Sequence, residues 1–347
     1  MMETDKYLFD LNQDQLKDYF VSIGEPPYRV EQLWNASYTH FAQDFNQVTA
    51  FPVRLRSQLA CDMHFSHLKT VERFASTDGE TIKNLFTLPD GNLIESVLMH
   101  YNERKTLCIS SQSGCAMGCV FCATGQMGFR RNLSAGEVIE QVLFLGRELS
   151  QSGEKITNIV IMGMGEPFHN YDAVLEAIDR LNDPNGLNLG ARRFTISTVG
   201  IVPGIRRFAA EKRQVNLAIS LHAANDTLRS VLIPANRKYP LSSLMEACGE
   251  YIRQTNRRLT FEWALIRDVN DSVEHARELA VLLKGLLCHV NIIPLNPTTS
   301  YHGKATTEEQ AQEFKRVLEN NGIPCTIRAR RGIDIAAGCG QLAARRA

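Results

Sequence analysis

Leu107-Cys-Ile-Ser-Ser-Gln-Ser-Gly-Cys-Ala-Met-Gly-Cys-Val-Phe-Cys122 joins a short apolar run to three thiols spaced C-x3-C-x2-C, at Cys115, Cys119 and Cys122. Three thiolates make an incomplete cage. A closed zinc site or an ordinary four-iron cluster takes four protein ligands, so a cluster held here keeps one position open for another molecule. Two plainer readings stand beside it, a zinc knuckle and a redox pair made by Cys119 and Cys122. A knuckle wants a fourth Cys or His nearby, and residues 123–132 contain neither.

Working outward, the loop leads into Ser134 to Glu137, a capping box that opens a helix with Val138, Val142, Leu145 and Leu149 on one face. Strand, loop and helix then repeat. Apolar runs at Leu107–Ser110, Ile159–Met162, Phe194–Ser197, Val215–Leu221, Leu259–Ile266 and Val290–Pro294 predict six buried parallel strands. Thr306 to Glu309 opens a last helix that stops at Gly322. Such repetition predicts an α/β fold, a partial (β/α)6 barrel of the TIM type, with functional residues at the C-terminal ends of its strands. Ahead of it, Leu16, Tyr19, Phe20 and Ile23, then Val30, Leu33 and Trp34, keep helical spacing around a Pro26-Pro27 break. Pro89-Asp-Gly-Asn92 between two extended runs is hairpin-turn chemistry. The expected division is a helical accessory domain over 1–80, a hairpin linker over 81–100, the barrel over 101–332 and a tail over 333–347.

The chain has 347 residues, 44% of them hydrophobic and 22% charged, enough for a substantial core. No run approaches the roughly eighteen apolar residues of a membrane helix, and the opening Met1 to Lys6 lacks the apolar core of a secretion signal, which points to the cytoplasm. Nine cysteines there suit metal binding or catalysis better than structural disulfides. Formal net charge is zero, so global charge does not advertise a nucleic-acid partner, yet arginines cluster at 130–131, 192–193, 206–207, 257–258 and 328–331. Each pair taken alone reads as a solvated face. Cys61, Cys248, Cys288 and Cys325 are expected to sit in or near the core as small apolar residues.

With an aromatic before its last cysteine, the thiol motif resembles that of radical S-adenosylmethionine (SAM) enzymes. Further stretches narrow the likeness: Ser110-Ser-Gln-Ser-Gly-Cys115, Gly128-Phe-Arg-Arg-Asn-Leu133, Met162-Gly-Met-Gly-Glu-Pro167, Ser220-Leu-His222 and Cys339-Gly-Gln-Leu342. Together they resemble the RlmN/Cfr family of radical SAM ribosomal RNA methyltransferases, along almost the whole chain. One departure is Asp334-Ile-Ala-Ala-Gly-Cys339, where members of the family usually have Asp-Ala-Ala or Ala-Ala before the cysteine.

The resemblance implies the following. Cys115, Cys119 and Cys122 hold a [4Fe-4S] cluster whose open iron binds SAM, and Gly165, Glu166, Ser197, Ser220, Leu221, His222 and Asn296 hold the rest of SAM, two molecules being used per turnover. Cys339 is methylated first, its methyl carbon is then activated by hydrogen abstraction and joined to an adenine, and Cys108 resolves the adduct by forming a disulfide with Cys339. Glu95 accepts the proton lost by the substrate carbon. Carbon 2 of an adenosine in 23S rRNA is the expected target, with a tRNA anticodon-loop adenosine as a second one; carbon 8, and a non-catalytic iron–sulfur or zinc RNA-binding protein, are the alternatives. A reducing donor such as flavodoxin and a monomeric state are also implied. Arg328, Arg330 and Arg331 are expected on the RNA face, and Gly338 and Gly340 predict a mobile loop around Cys339.

Overall fold

The computed structural model describes residues 6–344. Residues 1–5, which carry most of the expectation about a secretion signal, and 345–347 of the expected tail lie outside the described residues. No helix among those described is long and apolar enough to cross a membrane.

Three helices come first, α1 (Gln13–Ser22), α2 (Arg29–Trp34) and α3 (Val53–Asp62). Asn12 caps α1 in a capping box with Gln15, and Leu16 and Phe20 point inward as their spacing predicts. The expected helical stretch to residue 80 ends early, because residues 69–75 form a strand. β1 (Lys69–Ala75), β2 (Thr81–Thr87) and β3 (Leu93–His100) make an antiparallel meander that continues into β4 (Lys105–Cys108). β1 is polar and only half-buried at the sheet edge, so it has no apolar run to announce it.

The thiol loop lies between β4 and the barrel's first outer helix, flanked by a small ribbon of β5 (Gln112–Gly114) and β6 (Phe129–Asn132), with the short α4 (Ala123–Met127) between them. The remaining elements alternate: α5 (Ala135–Gln151), β7 (Asn158–Ile161), α6 (Tyr171–Asn182), β8 (Phe194–Thr198), α7 (Val202–Ala210), β9 (Asn216–Ser220), α8 (Asp226–Leu232), α9 (Leu241–Thr255), β10 (Leu259–Leu265), α10 (Val273–Leu283), β11 (Cys288–Pro294), α11 (Glu308–Asn320) and β12 (Cys325–Ile327). Strand order is β1-β2-β3-β4-β7-β8-β9-β10-β11-β12, parallel from β4 onward. All six expected parallel strands are present, and β12 adds a seventh, three residues long. The first run is offset, since pairing stops at Cys108 and Ile109 and Ser110 already belong to the loop.

The fold is the expected partial barrel with a helical N-terminal region. Its strands alternate between two environments: Leu217 and Ile219 of β9 are fully buried on the helix side, whereas Ser220 faces the lumen. The helical region is welded to the barrel. Gly136 of α5 touches it so closely that a Cβ there would lie 2.7 Å from the Phe9 carbonyl carbon. Arg180 of α6 donates to the Tyr38 hydroxyl at 2.9 Å and to the Leu11 carbonyl at 3.0 Å, with its guanidinium over Trp34. Caps fall as read except at α11, where Thr307, not Thr306, accepts from the Gln310 amide; Thr306 is buried and donates to Asp271 at 2.7 Å. Cys248, Cys288 and Cys325 are buried, but Cys61 is exposed, because α3 turns Leu55 and Leu59 inward and leaves Cys61 on its outer face.

Past β12 the chain does not leave the barrel. Arg331 pairs with Glu80, Asp334 accepts from the Thr77 amide at 2.7 Å, and the Ala336 carbonyl accepts from Lys83 at 3.4 Å. This segment crosses from the last strand to β2 and β3, closing the side that a partial barrel leaves open.

Candidate active site

The lumen is a cavity of about 420 Å³ lined by residues from six of the parallel strands, β4 and β7 to β11, and by the crossing tail. The loop after β4 brings Cys115, Cys119 and Cys122 to its wall. Tight backbone geometry shapes that loop. Gly114 (φ +73°) lies so near the Gly128 carbonyl that a Cβ would sit 2.0 Å from its oxygen, and the Cys115 amide donates to that same carbonyl at 3.0 Å. Burial pushes the Cys115 thiol up to about 12 and Cys119 well above its ordinary value.

The donor set fits a cube better than a single ion. No three Cys, His, Asp or Glu groups among the described residues converge on one metal position. A mononuclear zinc site needs its thiolates about 2.3 Å from one centre, whereas a cluster takes each thiolate at a separate iron.

Beside the thiols stands the turn after β7. Gly165 (φ +107°) packs on Gln112, where a Cβ would lie 2.6 Å from that side chain, and the Gln112 side-chain oxygen accepts from the Glu166 amide at 2.8 Å. Glu166 is buried; its two oxygens accept from the Phe168 amide at 3.0 Å and the Val199 amide at 2.8 Å. Burial outweighs these bonds and raises its carboxyl to about 7. Across the lumen, the Ser197 and Ser220 hydroxyls are 3.4 Å apart on neighbouring strand ends. His222 has φ +59° and accepts at Nδ1 from the Ala264 amide at 2.8 Å, so Nε2 carries the proton. Burial, with Arg229 nearby, lowers it to about 3, which makes the imidazole a neutral donor. Phe121 meets its ring edge-on at 4.9 Å.

The tail completes the site. Cys339 has accessible surface, but that surface faces the cavity, and the surrounding protein raises its thiol to about 12. Cys108, at the end of β4, lines the same cavity, close enough for the two thiols to feel each other's charge. Both are free thiols. The expected mobile loop is anchored here: Asn296 donates to the Cys339 carbonyl at 3.1 Å, the Ala123 amide to that of Gly340 at 2.7 Å, and Thr124 to that of Leu342 at 2.7 Å.

Two expected site residues do not line the cavity. The Leu221 side chain is in the core, and only its backbone serves the site, its amide donating to the Glu262 carbonyl at 3.0 Å. Glu95 is buried beneath the tail, 3.1 Å from Lys83 and accepting from the Ala343 and Ala344 amides at 2.9 and 3.1 Å. Conversely, Glu262 and Asn291 line the lumen without having been singled out. Glu262 accepts from Asn291 at 2.9 Å, and burial raises it to about 7. A lone acid inside the apolar run 259–266 was the available signal. Of the arginine clusters, Arg328, Arg330 and Arg331 do border the cavity, with Arg331 also stacked over Tyr101. Arg206 and Arg207 are instead tied to surface carboxylates, and Arg131 to exposed Asp90 and buried Glu137.

A barrel of this topology, with three thiols in its first loop and a glycine-rich acidic turn after its second strand, is a radical SAM enzyme, and residues 109–280 match the radical SAM superfamily. A "Ribosomal RNA large subunit methyltransferase N-terminal domain" matches residues 6–64. The chain belongs to the RlmN family of dual-specificity RNA methyltransferases. It is 48% identical to dual-specificity RNA methyltransferase RlmN 1 of Myxococcus xanthus over 99% of this chain and 95% of that one. It is 47% identical to a probable RlmN of Geobacillus kaustophilus over 97% and 92%. The crystal structure of a radical SAM methyltransferase from Sphaerobacter thermophilus superposes with a TM-score of 0.96 at 49% identity, covering 98% of this chain and 100% of that one. SAM and a [4Fe-4S] cluster are the family's cofactors.

Proposed function

We propose that this enzyme methylates carbon 2 of an adenosine in 23S rRNA, and of a tRNA adenosine, in the cytoplasm, as a monomer drawing electrons from a donor such as flavodoxin. One observation carries the reading. Cys108 and Cys339, far apart in sequence, face one cavity with the three loop thiols, as a methyl carrier and its resolving partner must. A non-catalytic iron–sulfur or zinc RNA-binding protein would need neither thiol.

Cys115, Cys119 and Cys122 would hold the cluster, which would supply the electron for reductive cleavage of SAM. The chain's own residues do the rest. Glu166 and the neighbouring glycine backbone form the cradle for the SAM amino group; Ser197, Ser220 and neutral His222 offer hydroxyl and imidazole contacts to the remainder. Leu221 contributes through its backbone. Asn296 both borders the cavity and holds the Cys339 carbonyl, so it links cofactor binding to tail position. Cys339 carries the methyl carbon to the adenine, and the Cys108 thiolate then attacks the Cys339 sulfur, so that the disulfide forms as the bond from that sulfur to the carbon breaks and the freed carbon, now joined to the adenine, takes up a proton. Both thiols stand high, so each step needs its proton removed locally. Glu95 accepts the substrate proton once the tail amides of Ala343 and Ala344 leave its carboxylate. Arg328 and Arg330 meet the RNA backbone at the rim.

The test is expression in a bacterium lacking its own carbon-2 methyltransferase, followed by nucleoside mass spectrometry of separated 23S rRNA and tRNA. 2-Methyladenosine in both is expected; 8-methyladenosine, or neither product with the cluster verified, overturns the reading.

A further inference from the structure

Arg229, in α8, is 1% exposed, and none of its hydrogen bonds reaches a carboxylate. Nε donates to the Leu221 carbonyl at 3.1 Å; the other nitrogens donate to the Val199 carbonyl at 2.6 Å, the Ser220 carbonyl at 3.2 Å and the Asn236 side-chain oxygen at 2.7 Å. Asn236 in turn donates to Asp226 at 2.8 Å, so the nearest acid is held one amide away. A guanidinium buried this far is stable only against negative charge or a full set of acceptors. The acceptors are present, yet all but one are backbone carbonyls from the strand ends that border the cavity.

The thiol loop packs on the same helix, and its three cysteines line the same cavity as Val199 and Ser220, two of the residues that Arg229 holds. The Val120 amide donates to the Leu232 carbonyl at the end of α8, at 3.1 Å, and a Cβ on Gly118 would touch the Pro234 ring at 3.8 Å. Loop and helix are therefore in direct contact. Arg229 and Cys119 are close enough for each to bias the other's charge. A cube held by three thiolates is a net anion, and reduction adds one more negative charge.

We propose that Arg229 is the countercharge of the cluster: a positioning residue whose guanidinium favours the reduced state, and so electron entry, while its fork keeps Val199, Ser220 and Leu221 in register around SAM. The proposal rests on Cys115, Cys119 and Cys122 being the cluster ligands. Its two halves separate by substitution. Arg229→Lys keeps the charge and loses the fork; Arg229→Gln keeps some donors and loses the charge.

The experiment is anaerobic reconstitution of the full chain and of both variants, with iron content, then a redox titration of the cluster followed by electron paramagnetic resonance without SAM. Arg229→Gln is expected to weaken reduction about tenfold, a midpoint about 59 mV more negative for a one-electron couple, at parental iron content. Arg229→Lys is expected to keep the parental midpoint while weakening SAM binding in equilibrium dialysis. Equal midpoints for the parent and Arg229→Gln overturn the proposal, as does an Arg229→Lys midpoint that falls as far as that of Arg229→Gln. If Arg229→Gln takes up no iron, the Arg229→Lys midpoint decides alone, and a fall of about 59 mV below the parental value overturns the proposal. A parental protein without a [4Fe-4S] signal fails earlier, at the ligand assignment, and overturns both.

Discussion

At the scale of single residues, thiols that look alike in sequence are separated by where the fold puts them. Cys339 faces the lumen from an anchored tail and Cys108 faces it from a strand end. Cys339→Ala is expected to drop methylated nucleoside to background while iron content and cluster absorbance stay at parental level. Product formed by that variant would exclude a methyl carrier at this position. Cys108→Ala keeps methyl loading on Cys339 and blocks release, so a covalent protein–RNA species should accumulate on denaturing gels. The same contrast shows what sequence could supply. The cluster thiols were legible because ligand spacing within one loop is local, as was the Gly165-Glu166 turn. Glu262 was masked, because an acid inside an apolar run shows its role only when the strand closes on a lumen.

At the scale of elements, two buried charge groups join parts of the chain that sequence leaves separate. His67 sits between Asp10 and Glu140, with ring nitrogens 2.8 and 2.5 Å from their carboxylates, and so ties the helical region to α5. Burial alone would lower its pKa, but the hydrogen bonds to Asp10 and Glu140 raise it to about 9. A folded pKa above the unfolded value of about 6.5 stabilises fully below that pH, and the contribution is lost as pH rises through about 9. Urea unfolding at pH 6, 8 and 10 should therefore show a decline that His67→Gln flattens; an unchanged slope in the variant would remove His67 from the account. The second group is Glu95 with Lys83. Glu95→Ala leaves a nearly buried ammonium unpaired and frees two tail amides. A loss of about 3–5 kcal/mol is expected, read as a lower urea midpoint, along with proteolytic exposure of the tail. The capping box at Ser134 and Glu137 was readable from four residues; the contacts of His67 with Asp10 and Glu140, and of Glu95 with the tail, span 57 to 249 positions and were not.

At the scale of the molecule, the barrel, the helical region and the tail form one continuous core. Its cavity is rimmed by Arg328 and Arg330, neither of which pairs with a carboxylate among the described residues, while Arg206 and Arg207 spend their charge on the outer helices. Replacing Arg328 and Arg330 with Ala should weaken RNA binding for every sequence alike and flatten the dependence of log affinity on log salt by about 1.4, the single-strand value for two contacts. An unchanged slope would place the RNA elsewhere, and Arg130, exposed on β6, would be the next position to test.

The sequence by itself determined the six main parallel strands with their intervening helices and the three-thiol loop, since each depends on short-range patterning, and its motifs carried the family resemblance. Only the tertiary structure decided that residues 69–75 are an edge strand, that Glu95 holds the tail, and that the end of α8 lies against the thiol loop. These depend on which distant segments share a buried volume. There an unpaired charge or amide is expensive enough to choose its partner, and the chain's linear order carries no record of that choice.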